Sequence, residues 1–113
     1  MRILNVLVVD DSTVNRLIVS RLISALGHNV MTAEDGVQAL ACCEQTPPDL
    51  ILMDVIMPRM DGLEATRLIR ERFDKQWIPI IFLTGKVEQE DMLAGLEAGG
   101  DDYLTKPVDI KLL

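Results

Sequence analysis

Acidic, hydroxyl and basic side chains follow apolar runs directly at four places in this chain of 113 residues. Asp10 and Asp11 follow VLVV, Asp54 follows ILM, Thr84 follows PIIFL, and Lys106 follows DYLT. If these runs are parallel strands, their carboxyl ends lie at one edge of a sheet, where ligands bind in such folds. Three carboxylates at one edge repel each other. A divalent cation such as Mg²⁺, which prefers oxygen ligands and keeps several waters, would remove that conflict.

The same residues suit phosphoryl transfer. A metal shell that retains water positions has room for a phosphoryl oxygen, and Lys106 offers a point charge suited to phosphate. Thr84 offers a hydroxyl donor. This chemistry needs positioning and charge neutralisation more than covalent machinery, and an aspartate is a known type of phosphoryl acceptor. We therefore expect Asp54 to receive a phosphoryl group.

Strands and helices must alternate to bring these side chains together. Short apolar runs predict five strands, at residues 6–9, 29–33, 51–53, 79–83 and 102–105. Helical periodicity between them predicts four helices. The first contains apolar residues at helical spacing, Val14, Leu17, Ile18, Leu22 and Leu26, and ends at Gly27. The second covers 37–45, the third begins at Gly62, and the fourth covers 88–98. This alternation predicts an α/β fold with a parallel sheet and helices on both faces.

Composition limits the class of protein. The length fits one domain, and 49% hydrophobic residues suffice for a core. A net charge of −7 disfavours direct nucleic-acid binding, and no apolar run approaches the ~20 residues that cross a membrane. Cys42 and Cys43 are adjacent and lack a metal-binding pattern, so we expect a reducing, cytoplasmic setting in which both pack within a helix.

The chain resembles the receiver domains of two-component response regulators. The resemblance rests on the acidic pair Asp10-Asp11, on Asp54 with Met-Pro three residues later, on Thr84, and on Lys106 followed by proline. The resemblance covers nearly the whole sequence, and we expect one receiver domain over residues 1–113. It implies a flavodoxin-like, doubly wound sheet of five parallel strands in the order 2-1-3-4-5. Only six residues follow Pro107, so the fifth helix of such domains is expected to be truncated.

The resemblance also implies roles for individual residues. Asp54 is the expected phosphoacceptor, and the Mg²⁺ ligands are Asp10, Asp11, Asp54 and the backbone carbonyl of Ile56. Lys106 is expected to contact the phosphoryl group. Thr84 moves toward that group, and Tyr103 turns inward to fill the space that Thr84 leaves.

Partners follow from the same resemblance. The phosphoryl donor is expected to be a sensor histidine kinase or a histidine phosphotransfer domain of a phosphorelay. A dimer could form through the fourth helix, fifth strand and fifth helix. Asn15 and Arg16 are similar to residues of receivers attached to hybrid sensor kinases.

Three other functions remain open at this point. A small phosphatase that forms an aspartyl phosphate usually needs a second acid two residues after its nucleophile, and Ile56 stands there. A flavodoxin-like cofactor binder would need a phosphate-cradling loop where this chain has DDSTVN. The third alternative is an interaction module that is not phosphorylated.

Some residues are predicted to have only structural roles. Asp61-Gly62 is expected to start a helix, and His28 to lie exposed in a turn. Trp77 is expected to pack against a loop. Arg67, Arg70 and Arg72 are expected to form a solvated helix face.

Overall fold

A parallel five-stranded sheet is the framework of the fold in the computed structural model. The structure describes residues 2–55, 57, 59–74, 76–84, 99–100 and 102–105, with Thr84 and 102–105 described as strand backbone only. The elements in chain order are β1 (Asn5–Val9), α1 (Thr13–Ala25), β2 (Asn29–Ala33), α2 (Gly36–Gln45), β3 (Leu50–Asp54), α3 (Gly62–Arg72), β4 (Ile80–Thr84) and β5 (Asp102–Thr105). The strand order is β2-β1-β3-β4-β5, and every neighbouring pair is parallel, so the predicted sheet is confirmed. The predicted helix at 88–98 and the segment after Pro107 lie outside the described residues.

Alternate residues of the strands face two separate cores. Leu7, Val9, Ile51 and Met53 pack in the larger core, which α2 and α3 cover. Val6, Val8 and Leu52 point to the opposite face, where α1 contributes two buried residues, Val19 and Ile23. Helices therefore cover both faces of the sheet, as the nearly unbroken apolar strands require.

The predicted helix α1 is confirmed, but most of the apolar residues whose spacing predicted it are not the ones that it buries. Val14, at 64% exposure, and its neighbours Leu17 and Ile18 face solvent, and Val19 and Ile23 are buried instead. This helix is apolar on more than one side, so periodicity alone allows two different buried faces. The result leaves a cluster of large apolar side chains exposed on α1, directly after the Asp10-Asp11 pair.

Each described helix starts with a side-chain cap. Ser12, Asp35 and Asp61 accept hydrogen bonds from backbone N–H groups three residues later, at Asn15, Gln38 and Glu64. Asp61-Gly62 is thus confirmed as a helix start. Asp35-Gly36 likewise forms the start of α2. No helix among the described residues is long and apolar enough to cross a membrane.

Three of the structural roles assigned from sequence are wrong. His28 is half-buried, and its Nδ1 accepts a hydrogen bond of 3.0 Å from the Leu4 amide. Trp77 is 77% exposed instead of packed. Arg70 is half-buried and donates to the carbonyl oxygens of Ile78 and Gly99.

Candidate functional site

Three carboxylates meet at the carboxyl edge of the sheet. Asp10 and Asp11 follow β1, and Asp54 ends β3; each offers an oxygen, and these oxygens lie within 4.8 Å of one another. The register explains the meeting, since Val9 pairs with Met53 and so brings the next residues of both strands side by side. Asp10 and Asp54 are 1% and 7% exposed, whereas Asp11 is exposed. The pocket is therefore acidic, largely buried and open on one side.

The β1–α1 loop holds Asp10 in a fixed position. Its backbone N–H donates to the Ala33 carbonyl at 3.1 Å, and its Oδ1 accepts from the Ser12 N–H at 2.9 Å. Its carbonyl oxygen accepts a hydrogen bond of 2.7 Å from the Arg16 guanidinium. Backbone and side chain of this acid are thus both restrained before any ligand binds.

Close packing between β3 and α3 holds Asp54. The Gly62 N–H donates to the Val55 carbonyl at 2.8 Å, so α3 begins against the end of β3. A Cβ at Gly62 would lie 2.1 Å from the Asp54 carbonyl oxygen. Only glycine therefore permits this approach.

The donor set suits a hard divalent cation. The described residues of the pocket offer only carboxylate oxygens, without sulfur or imidazole, and oxygen ligands of this kind select Mg²⁺ or Ca²⁺ over softer metals. Clustered negative charge at partly buried positions also favours the binding of a cation. The residues present therefore fit the predicted Mg²⁺ site.

The other predicted site residues are placed only in part. Thr84 ends β4, one residue past the Leu83 that pairs with Asp54, and it pairs with Thr105 of β5. The carboxyl ends of β4 and β5 therefore reach the same edge of the sheet as the acids. Ile56, Lys106 and the side chains of Thr84 and Tyr103 lie outside the described residues.

Sequence reasoning missed three residues around the pocket. Arg16, noted only for its resemblance to hybrid kinases, contacts Asp10, and Arg59 contacts the side chain of Asp35. The Gln38 N–H and, to a lesser degree, the Arg59 guanidinium hold the pKa of the Asp35 carboxyl below its usual value. The sequence contained only weak signals for these residues, namely an arginine one turn into α1 and an aspartate at a helix start.

Comparison with known sequences assigns the family. The profile described as response regulator receiver domain matches residues 6–113. Protein PilH of Pseudomonas aeruginosa is 38% identical over 108 residues, which cover 96% of this chain and 89% of PilH. The probable transcriptional regulatory protein TcrX of Mycobacterium tuberculosis is 42% identical over 106 residues, 94% of this chain but 44% of TcrX. The chain thus spans most of one relative and less than half of the other.

Solved structures agree with the sequence comparison. The chemotaxis protein CheY4 of Vibrio cholerae superposes with a TM-score of 0.91 at 34% identity, covering 97% of this chain and 92% of that one. A second match is the receiver domain of sensor histidine kinase PA1611 from Pseudomonas aeruginosa, which was solved with a magnesium ion in its active-site cleft. It superposes with a TM-score of 0.89 at 37% identity, and the match covers 98% of this chain and 91% of that one. Together with the acidic pocket at the sheet edge, these matches show that the chain belongs to the response regulator receiver domain family.

Proposed function

We propose that this receiver domain accepts a phosphoryl group from a phosphohistidine partner onto Asp54. The observation that carries the proposal is the pocket itself, in which the carboxylate of Asp54 lies within 4.8 Å of two further acids at the sheet edge. An oxygen of Asp54 attacks phosphorus, the phosphorus–nitrogen bond of the donor breaks, and the imidazole leaves with the electron pair. The product is an aspartyl phosphate.

Asp10 and Asp11, with Asp54 and the Ile56 carbonyl, would hold Mg²⁺ in this proposal. When bound, the ion neutralises the charge that builds up on the phosphoryl oxygens. Asp10 is the rigid member of the set, because the Ser12 amide and the Arg16 guanidinium fix it from two sides. The exposed Asp11 leaves the pocket accessible from solvent.

The switch belongs to the proposal as well. Lys106 contacts the new phosphoryl group, Thr84 donates its hydroxyl to it, and Tyr103 turns inward. A phosphoryl group adds about −1.5 to −2 charges in one step, and recruiting Thr84 and Lys106 to it would bias a two-state loop. The positions of Thr84 and Thr105 at the carboxyl ends of β4 and β5 support this part of the proposal.

The partner is a histidine kinase or a histidine phosphotransfer domain. The exposed apolar side chains Val14, Leu17 and Ile18 lie on α1, which begins two residues after Asp11, and they would suit a partner that must bring its histidine to Asp54. We also propose that residues 1–113 form one receiver unit in a cytoplasmic setting. We further propose that a dimer can form through the fourth helix, the fifth strand and the fifth helix. We also propose that the receiver originates from a hybrid kinase.

Acetyl phosphate tests the acceptor. The chain is incubated with acetyl phosphate and Mg²⁺, and intact mass is measured for the wild type, Asp54→Ala and the exposed control Asp74→Ala. We expect one phosphoryl adduct on the wild type and on Asp74→Ala, and none on Asp54→Ala. An adduct that survives Asp54→Ala would refute the assignment.

A turnover assay with a generic phosphomonoester, run on the wild type and Asp54→Ala, distinguishes a receiver from a phosphatase. We do not expect a receiver domain to release phosphate from a generic phosphomonoester over many turnovers. Sustained turnover that depends on Asp54 would instead favour the aspartyl-phosphate phosphatase.

A further inference from the structure

The β2–α2 loop contacts both loops that carry the acids. Arg16, which follows Asp10 and Asp11, donates to the Asp10 carbonyl at 2.7 Å and lies 3.5 Å from the Glu34 carboxylate. Its side chain, which extends from the first turn of α1, is only 13% exposed. This contact links the β1–α1 loop to Glu34.

Arg59 makes the corresponding contact from the β3–α3 loop. It follows Asp54 by five residues, and its guanidinium donates to the carboxylate of Asp35, whose side chain is fully buried. The Gly36 N–H also donates to the Met60 carbonyl at 3.2 Å. Glu34 therefore contacts an arginine from the first turn of α1, just after the Asp10-Asp11 loop, and its neighbour Asp35 contacts an arginine from the β3–α3 loop.

The backbone at Arg59 is strained in a way that fits this role. Its φ is 65°, the left-handed region that costs a non-glycine residue about 1–2 kcal/mol. The conformation places the Arg59 side chain against Asp35. A strained residue next to a functional loop persists when the surrounding contacts fix it.

We propose that Arg16 and Arg59 are positioning residues, which hold the β1–α1 and β3–α3 loops against Glu34 and Asp35 and so set the spacing of the acids for Mg²⁺. The proposal rests on the proposed function, because it concerns the same metal pocket. Neither arginine needs to touch the ion. Contacts outside the ligand set commonly change metal affinity by about 10–100-fold.

If charge alone determined Mg²⁺ affinity, removing the arginine and removing the acid of one pair would change that affinity in opposite directions. Removing the cation of Arg59 makes the surroundings of the pocket more negative, which by itself would strengthen Mg²⁺ binding. Removing the anion of Asp35 would weaken it. Positioning predicts that both substitutions weaken binding, because both break the same contact. The sign of the Arg59 effect therefore separates the two explanations.

The variants are chosen to leave local structure intact. Arg59→Asn tolerates a left-handed φ but is too short for the contact, and Asp35→Asn keeps a good helix cap toward Gln38. Arg67→Gln removes an exposed cation of α3 whose ion-pair partner among the described residues is its helix neighbour Glu64, and it serves as the matched charge control. Arg16→Gln tests the second contact in the same way.

Calorimetric titration with Mg²⁺ measures the effect. We expect the dissociation constant to rise about tenfold for Arg59→Asn, Asp35→Asn and Arg16→Gln, and to change less than twofold for Arg67→Gln. The double variant Arg59→Asn/Asp35→Asn should bind no worse than either single variant, as residues of one contact do. Unchanged or tighter binding by Arg59→Asn would overturn the proposal.

Amide hydrogen exchange without metal gives an independent readout. Arg59→Asn should speed exchange at the Gly62 N–H, which donates to Val55, and leave the α1 amide of Ile23 unchanged. If a variant does not fold, Arg59→Lys and Arg16→Lys keep the charge and test the geometry. If the wild type binds no Mg²⁺, the proposed function fails; if it binds and all variants match it, only the positioning role fails.

Discussion

Asp10 and Asp11 are neighbours in sequence, but their surroundings differ. Asp10 is buried, and its carboxylate and backbone accept hydrogen bonds from Ser12 and Arg16. Asp11 is exposed at the mouth of the pocket. A substitution at Asp10 would therefore disturb the loop as well as the metal ligands, whereas Asp11 is the cleaner probe of the metal site.

Cys43 allows a pH prediction at the residue scale. Burial and, to a lesser degree, the nearby Cys42 and Glu44 raise the pKa of the Cys43 thiol from its ordinary 9.0 to about 11. A raised folded-state pKa contributes stability that is fully present below pH 9 and is lost as the pH rises toward 11. Denaturant unfolding at pH 8, 9 and 10.5 should therefore show a steeper loss of stability for the wild type than for Cys43→Ala. Equal pH slopes for the two proteins would contradict this account.

Interactions between elements explain why α3 is more than a solvated helix. Arg70 extends from its last turn to the carbonyls of Ile78 and Gly99, which precede β4 and β5. Arg72 pairs with Glu44 of α2. A helical pattern identifies which residues share a face, but it does not show that later loops fold back onto that face.

Arg70→Ala should therefore destabilise the protein much more than Arg67→Ala. Removing Arg70 leaves two carbonyl oxygens without their donor, a loss of about 1–3 kcal/mol. Arg67 is exposed, and its ion-pair partner in the described part of the chain is Glu64 of its own helix, so its loss should cost no more than about 0.5 kcal/mol. Urea unfolding of both variants measures the difference, and equal values would show that the Arg70 contacts carry little energy.

Gly62→Ala tests the junction of β3 and α3. The added Cβ meets the Asp54 carbonyl oxygen, a backbone atom that has little freedom to move. Overpacking of this kind costs about 3 kcal/mol, and the strain acts directly on the phosphoacceptor. We expect a lower melting temperature and weaker phosphorylation by acetyl phosphate. Asp61→Asn, which keeps the helix cap next door, should stay near wild type in both measurements.

At the scale of the whole molecule, the sequence was sufficient for the sheet and for the meeting of the acids. Strands buried on both faces and separated by helices allow few topologies, and strand ends fix where Asp10, Asp11 and Asp54 lie. The buried face of α1 could not be predicted, because Val14 and Val19 are equally apolar. The arginine contacts depend on how separate loops approach each other, which no local pattern encodes.

Clustered charge gives a last prediction for the molecule as a whole. Three carboxylates with oxygens within 4.8 Å repel each other in the metal-free protein, which already carries a net charge of −7. Asp11→Asn should therefore raise the melting temperature in EDTA by a few degrees, since about 1 kcal/mol shifts a domain of this size by roughly 4 °C. The gain should shrink in high salt.

Mg²⁺ should reverse the order of the melting temperatures of the wild type and Asp11→Asn. At ten times its dissociation constant, Mg²⁺ stabilises the wild type by about 1.4 kcal/mol through mass action, while Asp11→Asn, lacking one ligand, gains little. Asp74→Asn makes the same charge change at an exposed position and should follow the wild type in both buffers. Differential scanning calorimetry in EDTA and in Mg²⁺ gives all six values. If Asp11→Asn were less stable than the wild type without metal, or kept the full Mg²⁺ response, the acids would not form a repulsive, metal-compensated cluster.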